Sequence, residues 1–279
     1  MSELLPYYIV IYTFVFLFGA SIGSFLNVCI YRLPKEESLI KRNSHCMSCG
    51  TEIKRRDLIP IVSWCLLRGK CRACGAPISP RYTIVEALNA VLYLLVFLWF
   101  DVMQMPIHAI LVCLLFSALI VVFFMDWDTQ LISNYVVIFI AILAVLEYFL
   151  TDNMLYITDA TNHASDNPLL SHIIGLFAVS VPLLLIELFS KGRAMGRGDV
   201  YLMAACGLFL GVGGAVVALF IALVTGSVAG IIQKHKSGDS VFAFGPWLSV
   251  GVAIAAIWGQ QLCNLYLNFV GIGVEQTTM

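Results

Sequence analysis

Charge is scarce in this chain of 279 residues. Asp, Glu, Lys and Arg together make up 12% of it, while 60% of the residues are hydrophobic and the mean hydropathy is +0.92. A soluble domain carries about 25% charged and about 45–50% apolar residues, so an ordinary soluble protein and a disordered chain are both excluded. No Lys or Arg precedes the first apolar run, Pro6–Ile30, and no clear small-residue cleavage site follows it. A secretory signal peptide would need both, so the run reads as an uncleaved membrane helix. Basic and aromatic residues do not alternate in any pattern that points to nucleic acid. No repeat or low-complexity segment stands out. A β-α-β unit with a glycine-rich loop is also missing, which excludes a standard nucleotide-binding fold.

What the chain does have is apolar runs of spanning length, about 20 residues each. They fall at Pro6–Ile30, Tyr82–Phe100, Ile107–Met125, Tyr135–Leu150, Leu169–Leu188, Val200–Val212, Gly214–Ile232 and Phe242–Tyr266. The pattern predicts an all-α polytopic membrane protein with about eight transmembrane helices. The few bases are concentrated: 11 of the 16 Lys and Arg lie between Arg32 and Arg81, against four acids. Basic loops favour the cytoplasmic side, so this stretch is predicted inside, with both termini outside. Charges not used for that assignment agree with it. Lys191, Arg193 and Arg197 fall between spans five and six, and Lys234 and Lys236 between seven and eight, all inside. The outer loops Asp101–Pro106 and Thr151–Pro168 carry only the acids Asp101, Asp152, Asp159 and Asp166. The organisation expected is a first span over 1–31, a small cytoplasmic loop domain over 32–81, and a membrane domain of about seven helices over 82–279. The glycines Gly207, Gly211, Gly213, Gly214, Gly226 and Gly230 read as close helix-packing positions.

The loop holds Cys46-Met47-Ser48-Cys49 and Cys71-Arg72-Ala73-Cys74, two C-x2-C pairs separated by 21 residues. Such pairs suit a tetrahedral thiolate site, because a tight turn presents two sulfurs and Zn²⁺ accepts four. Gly50 and Gly75 follow each pair, where the turn needs a permissive backbone. A reducing cytoplasm disfavours disulfides, and a closed four-thiolate site has no room for substrate, so the expected role of zinc is structural. Cys29, Cys65, Cys113, Cys206 and Cys263 read as small apolar fillers.

Ionisable groups in spans are expensive and tend to be functional. Glu86 near Arg81 reads as an interfacial pair, and Glu147 and Glu187 as span-end residues within reach of head groups. Asp126, ending span three in Met125-Asp126-Trp127-Asp128, and Asp199, beginning span six in Gly196-Arg197-Gly198-Asp199, are different. The topology puts both at the same depth on the inner face, where two carboxylates sharing a proton can activate water. A transporter is the reading from another class. It would place acids near the bilayer midplane and show internal pseudo-symmetry; the best pair here is at the inner face, and no symmetry is seen.

Gly-x-Gly-Asp at 196–199 resembles the motif of membrane aspartyl proteases, the group that includes presenilins and prepilin peptidases. The rest of the chain resembles the type 4 prepilin peptidase family, whose features appear in order. Gly23-Ser24-Phe25-Leu26-Asn27-Val28 and Tyr31-Arg32-Leu33-Pro34 come first, followed by the two cysteine pairs. Ile59-Pro60, Ser63-Trp64 and Leu67-Arg68-Gly69-Lys70 lie between those pairs. Ile78-Ser79, Arg81-Tyr82 and Glu86 follow, then both aspartate motifs and Phe244-Gly245-Pro246. Ser133-Asn134 stands where the family has Pro-Asn or Pro-Asp seven residues after its first aspartate, and Tyr201 stands where it has Lys. The seven-residue spacing selects Asp126 over Asp128, which lies about 200° round the helix.

The resemblance implies a bacterial inner-membrane enzyme with Asp126 and Asp199 catalytic. It would cut the short basic leader from prepilin and pseudopilin precursors at the cytoplasmic face, after a glycine and before a hydrophobic helix. It would then N-methylate the new N-terminus using S-adenosylmethionine. Its expected partners are those precursors and membrane lipid, with no nucleic acid. Gly69 and Lys70, beside Cys71, are the candidates for methyl transfer, against the plainer reading of a turn that positions the cysteine plus a topology charge.

Overall fold

The computed structural model describes residues 5–41, 43–100, 105–151, 168–192, 195–237 and 242–270. Arg193 and the outer-loop acids Asp101, Asp152, Asp159 and Asp166 lie outside them. Among the described residues the protein is all-helical, with α1 at Leu5–Arg32, a short α2 at Val62–Leu66, α3 at Arg81–Trp99 and α4 at Pro106–Thr129. α5 follows at Asn134–Leu150, α6 at Pro168–Ser190, α7 at Arg197–Ser237 and α8 at Gly245–Val270. Six of these helices are long and apolar enough to cross a membrane, and α5 is an apolar helix of 17 residues.

The two spans expected at Val200–Val212 and Gly214–Ile232 form one element, the 41-residue α7, with a break inside it. The break falls at Gly211, whose φ of 69° and ψ of −177° belong to a region open essentially to glycine. A kink leaves a carbonyl without its helical partner, and a membrane interior has no water to replace it. His172 on α6 supplies the donor: its Nδ1 lies 2.7 Å from the Leu208 carbonyl, whose helical partner, the Val212 amide, lies beyond the break. A carbonyl only accepts, so the proton is on Nδ1.

The chain divides into two compact units, Met1–Val121 and Val122–Met279. In the first, α1 packs on α3 through small residues. A Cβ at Gly19 would fall 2.9 Å from Ala90 Cα, and one at Gly23 would fall 2.7 Å from Glu86 Cα. A buried polar chain reinforces this contact. Asn89 donates to the Gly19 carbonyl (2.7 Å), the Ser117 hydroxyl donates to Asn89 (2.9 Å), and the Tyr93 hydroxyl meets Ser117 (2.9 Å). In the second unit α6 crosses α7 where Gly175 and Gly207 meet backbone to backbone. A Cβ on Gly175 would lie 2.5 Å from the Gly207 carbonyl oxygen, and one on Gly207 would collide with the Gly175 carbonyl. Lipid gives helices no hydrophobic reason to associate, so close backbone approach supplies the packing energy.

Gly207→Ala is therefore expected to destabilise the protein by about 1–3 kcal/mol. Thermal unfolding in detergent should show a lowered midpoint, whereas Val216→Ala, at an exposed position of the same helix, leaves it unchanged.

Candidate active site

Asp126 lies in the last turn of α4 and Asp199 in the first turn of α7, both in the second unit. Each is almost fully buried, with 6% and 7% of its surface exposed, and Asp199 feels the charge of Asp126. Asp128, two residues on, is exposed. Ionised carboxylates out of water require hydrogen-bond donors, and backbone amides provide them here. The Gly245 amide donates to Asp126 Oδ2 at 2.9 Å, and the Gly196 amide donates to the Asp199 carboxylate. Gly245 opens α8, so its amide is one of the donors that a helix start leaves without an internal partner. Asp126 thus caps a helix 119 positions away in sequence.

The glycines of the site leave room for these contacts. A Cβ on Gly245 would lie 2.8 Å from Asp126 Oδ2, and one on Gly198 would lie 2.9 Å from Ile132 Cβ in the α4–α5 connection. Ser133 precedes α5 at its N-cap without a side-chain capping bond, and Tyr201 is half exposed. Glu187, near the end of α6, braces the start of α7. Its Oε1 accepts from Arg197 Nε at 3.1 Å, with Glu187 buried and the Arg197 side chain 72% exposed.

The remaining acids take places other than those expected of them. Glu147 and Glu187 are buried rather than reaching head groups; Thr151 donates to Glu147 at 3.1 Å. Glu86 accepts from the Ile61 backbone amide at 2.7 Å. Gly245, Glu187 and Ile132 were not distinguishable as site residues in the sequence. Their roles arise from segments that meet only in the fold. The one cue was the Phe244-Gly245-Pro246 motif.

The four cysteines of the first unit come together, with all four Sγ atoms within 4.8 Å of one another. Two knuckles of one design carry them. Cys46 N–H donates to Thr51 O (2.9 Å) and Gly50 N–H to Cys46 O (2.9 Å); Cys71 N–H donates to Ala76 O (2.8 Å) and Gly75 N–H to Cys71 O (2.9 Å). Gly50 and Gly75 take φ of 70° and 72°, the left-handed turn that glycine accepts without strain. The Cys46 and Cys74 sulfurs lie 3.8 Å apart, the edge of a tetrahedron with metal–sulfur bonds of about 2.3 Å. Backbone amides of Cys49 and Ser48 hold Cys46 below the usual thiol range, those of Cys74 and Ala73 do so for Cys71, and Thr51 does so for Cys49. Cys74 is pulled down by the Ala76 amide, but Cys49 and its other thiol neighbours outweigh this and push it up to about 11. A set of thiolates that crowd one another in this way suits a dication, and the cluster fits a structural zinc site.

Gly69 and Lys70 belong to the second knuckle. Gly69 has φ of 66° and lies against the Trp64 ring, where a Cβ would come within 2.9 Å. Lys70 is exposed and bridges Pro77. Turn geometry accounts for both positions.

Comparison with known proteins adds the following. The profile of the bacterial peptidase A24 N-terminal domain matches residues 17–100, and that of the type IV leader peptidase family matches residues 113–231. A prepilin leader peptidase/N-methyltransferase of Legionella pneumophila is 30% identical over 284 residues, covering 92% of this chain and 95% of that protein. A protein of the same name from Neisseria gonorrhoeae is 31% identical over 256 residues, 83% and 85% of the two chains. A type 4 prepilin-like proteins leader peptide-processing enzyme of Escherichia coli is 31% identical over 262 residues, 88% and 92%. No solved structure matches the chain.

A four-thiolate zinc site of this kind is worth about 10–16 kcal/mol of binding free energy near neutral pH. The purified protein is expected to carry stoichiometric zinc by elemental analysis. Chelation or Cys71→Ser should remove the metal and open the 32–81 loop to protease, leaving the helices intact by circular dichroism.

Proposed function

The chain belongs to the type IV leader peptidase family, and on that premise we propose that it cleaves the basic leader of type 4 prepilins and pseudopilins by aspartyl protease chemistry, with Asp126 and Asp199 as the catalytic pair. The observation that carries this reading is the pair of buried carboxylates, each held by a backbone amide. One carboxylate takes a proton from water as the water oxygen bonds to the scissile carbonyl carbon. The other, protonated, gives its proton to the carbonyl oxygen. Collapse of the tetrahedral adduct breaks the C–N bond, and the amine leaves with a proton. Two adjacent acids divide these roles because both cannot ionise cheaply.

The protein is a multi-pass membrane protein, and the basic 32–81 loop supports a cytoplasmic location for that loop and for the site in the bacterial inner membrane. A prepilin is held by its apolar helix, so its leader emerges at the inner face. There the bilayer itself contributes much of the positioning that brings the bond to the acids. The leader is basic and the cytoplasmic loops here are also basic, so the acids of the site, not the loop, are suited to receive it.

The second activity, methylation of the new N-terminal amine with S-adenosylmethionine as donor, follows from the same family membership. The donor would supply an electrophilic methyl group. No step is assigned to Gly69 or Lys70, and zinc is assigned the folding of the loop rather than either reaction.

Purified protein in lipid, given a prepilin with and without S-adenosylmethionine, tests both activities. Asp126→Asn and Asp199→Asn are each expected to lower cleavage by about four orders of magnitude or more, and Asp128→Asn to leave it intact. Gly245→Ala displaces the Asp126 carboxylate, so cleavage should fall about 100-fold. Cleavage surviving either Asp→Asn substitution would overturn the aspartyl assignment, and a product without added methyl mass would overturn the second activity.

A further inference from the structure

The loop between the two cysteine pairs has features of a membrane-docking segment. Between Lys54 and Lys70 the sequence has five bases and one acid. That acid, Asp57, is neutralised by Arg72 through bonds of 2.7–3.1 Å. The chain forms a 3₁₀ turn at Arg55–Leu58 and then α2 at Val62–Leu66. Leu58, Ile59, Val62 and Leu66 are 40%, 51%, 50% and 77% exposed. Val62 and Leu66, at i and i+4, share one face of α2, and Leu58 and Ile59 lie at the end of the preceding turn. Exposed bases flank this apolar run at Lys54, Arg55, Arg56 and Arg68. A soluble loop exposing four large aliphatic side chains together would be anomalous.

The position of the segment identifies what covers it. Ile61, a β-branched residue at φ 62°, is held there by the hydrogen bond its backbone N–H donates to Glu86 Oε2. Glu86 is five residues into α3, about 7 Å from the start of that helix. Leu58 and Pro60 line one cleft with Ser24, Phe25 and Val28 of α1. Ser24 lies about 12 Å before the end of α1 at Arg32. The exposed aliphatic residues are therefore level with the terminal turns of two membrane-spanning helices. That depth and the basic flanks are the features of an interfacial helix, which buries its apolar face about 5–10 Å into the boundary between head groups and acyl chains.

We infer that Leu58–Leu66 docks the zinc-binding loop into the leaflet from which the loop emerges, with Leu58, Ile59, Val62 and Leu66 among the acyl chains and Lys54, Arg55, Arg56 and Arg68 on anionic phospholipid head groups. The loop is thereby a membrane-seated element, not a freely tethered one.

The test uses the zinc-loaded full chain with Leu66→Trp in vesicles of phosphatidylethanolamine and phosphatidylglycerol, compared with the parent protein to isolate the added tryptophan. That emission should be quenched by lipids brominated near the head group and shielded from aqueous acrylamide. Replacing phosphatidylglycerol by phosphatidylcholine, or introducing Lys54→Gln, Arg55→Gln, Arg56→Gln and Arg68→Gln together, should raise acrylamide quenching about two-fold or more. Lys70→Trp, on the knuckle, serves as the acrylamide-accessible reference that shows the loop is folded and in reach. Strong acrylamide quenching of Trp at position 66 in anionic vesicles overturns the inference. Shielding from both quenchers also overturns it, since a second copy of the chain or another protein would then cover the face. Insensitivity to lipid charge and to the four substitutions overturns the head-group contact.

Discussion

A carboxylate kept from water must receive its hydrogen bonds from the protein, and the second unit is organised around that requirement. The amide of Gly245, free because it begins α8, meets Asp126 at the end of α4. The amide of Gly196 turns back onto Asp199 in the first turn of α7. Helix starts are the natural place for these bonds, since their amides have no internal partner and the helix dipole favours negative charge there. Neither the start of α8 nor the end of α4 can move without costing the other a bond. Three further buried polar groups make a hydrogen bond to a neighbouring segment. Glu187 holds Arg197, Glu86 holds the amide of Ile61, and His172 serves the carbonyl left by the break at Gly211.

Glycine is what permits those contacts. At Gly175 and Gly207 it lets two helix backbones touch, and at Gly198 and Gly245 it lets a side chain approach where a Cβ would intrude. The cysteine knuckles use glycine differently: Gly50 and Gly75 have open space where a Cβ would lie, and their left-handed backbone alone is what the turn requires.

Much of the fold was legible in the chain itself. Apolar runs mark helices because a span must be apolar for about 20 residues, and α1, α3, α4, α6 and α8 begin and end within a few residues of their runs. The cysteine spacing was equally readable, because two knuckles are local structures whose geometry depends on adjacent residues. The seven-residue spacing to Ser133 selected Asp126 over Asp128, and the structure buries the first and exposes the second. Other features were not readable. An isolated glycine does not reveal that it takes φ of 69° and breaks a helix, so Gly211 looked like its neighbours. Glu147 and Glu187 looked like interfacial residues because their distance from a span end is visible in sequence and the helix packed over them is not. Gly69 and Lys70 stood out by position, but the Trp64 ring beside one and the bridge from the other to Pro77 could not be read from their neighbours in sequence.

The sequence by itself determined what sort of molecule this is. The scarcity of charge requires a membrane, the gathering of bases in one loop sets the expected orientation, and two cysteine pairs at short spacing mark a knuckle suited to a metal. Each of these follows from solvation or from contacts between near neighbours. Only the tertiary structure decided how the buried acids are held. Asp126 is bound by an amide 119 positions away, and Glu187 is paired with an arginine on the next helix. A hydrogen bond between distant segments depends on where helices end in space, and that is set by the packing of whole helices rather than by any residue's neighbours.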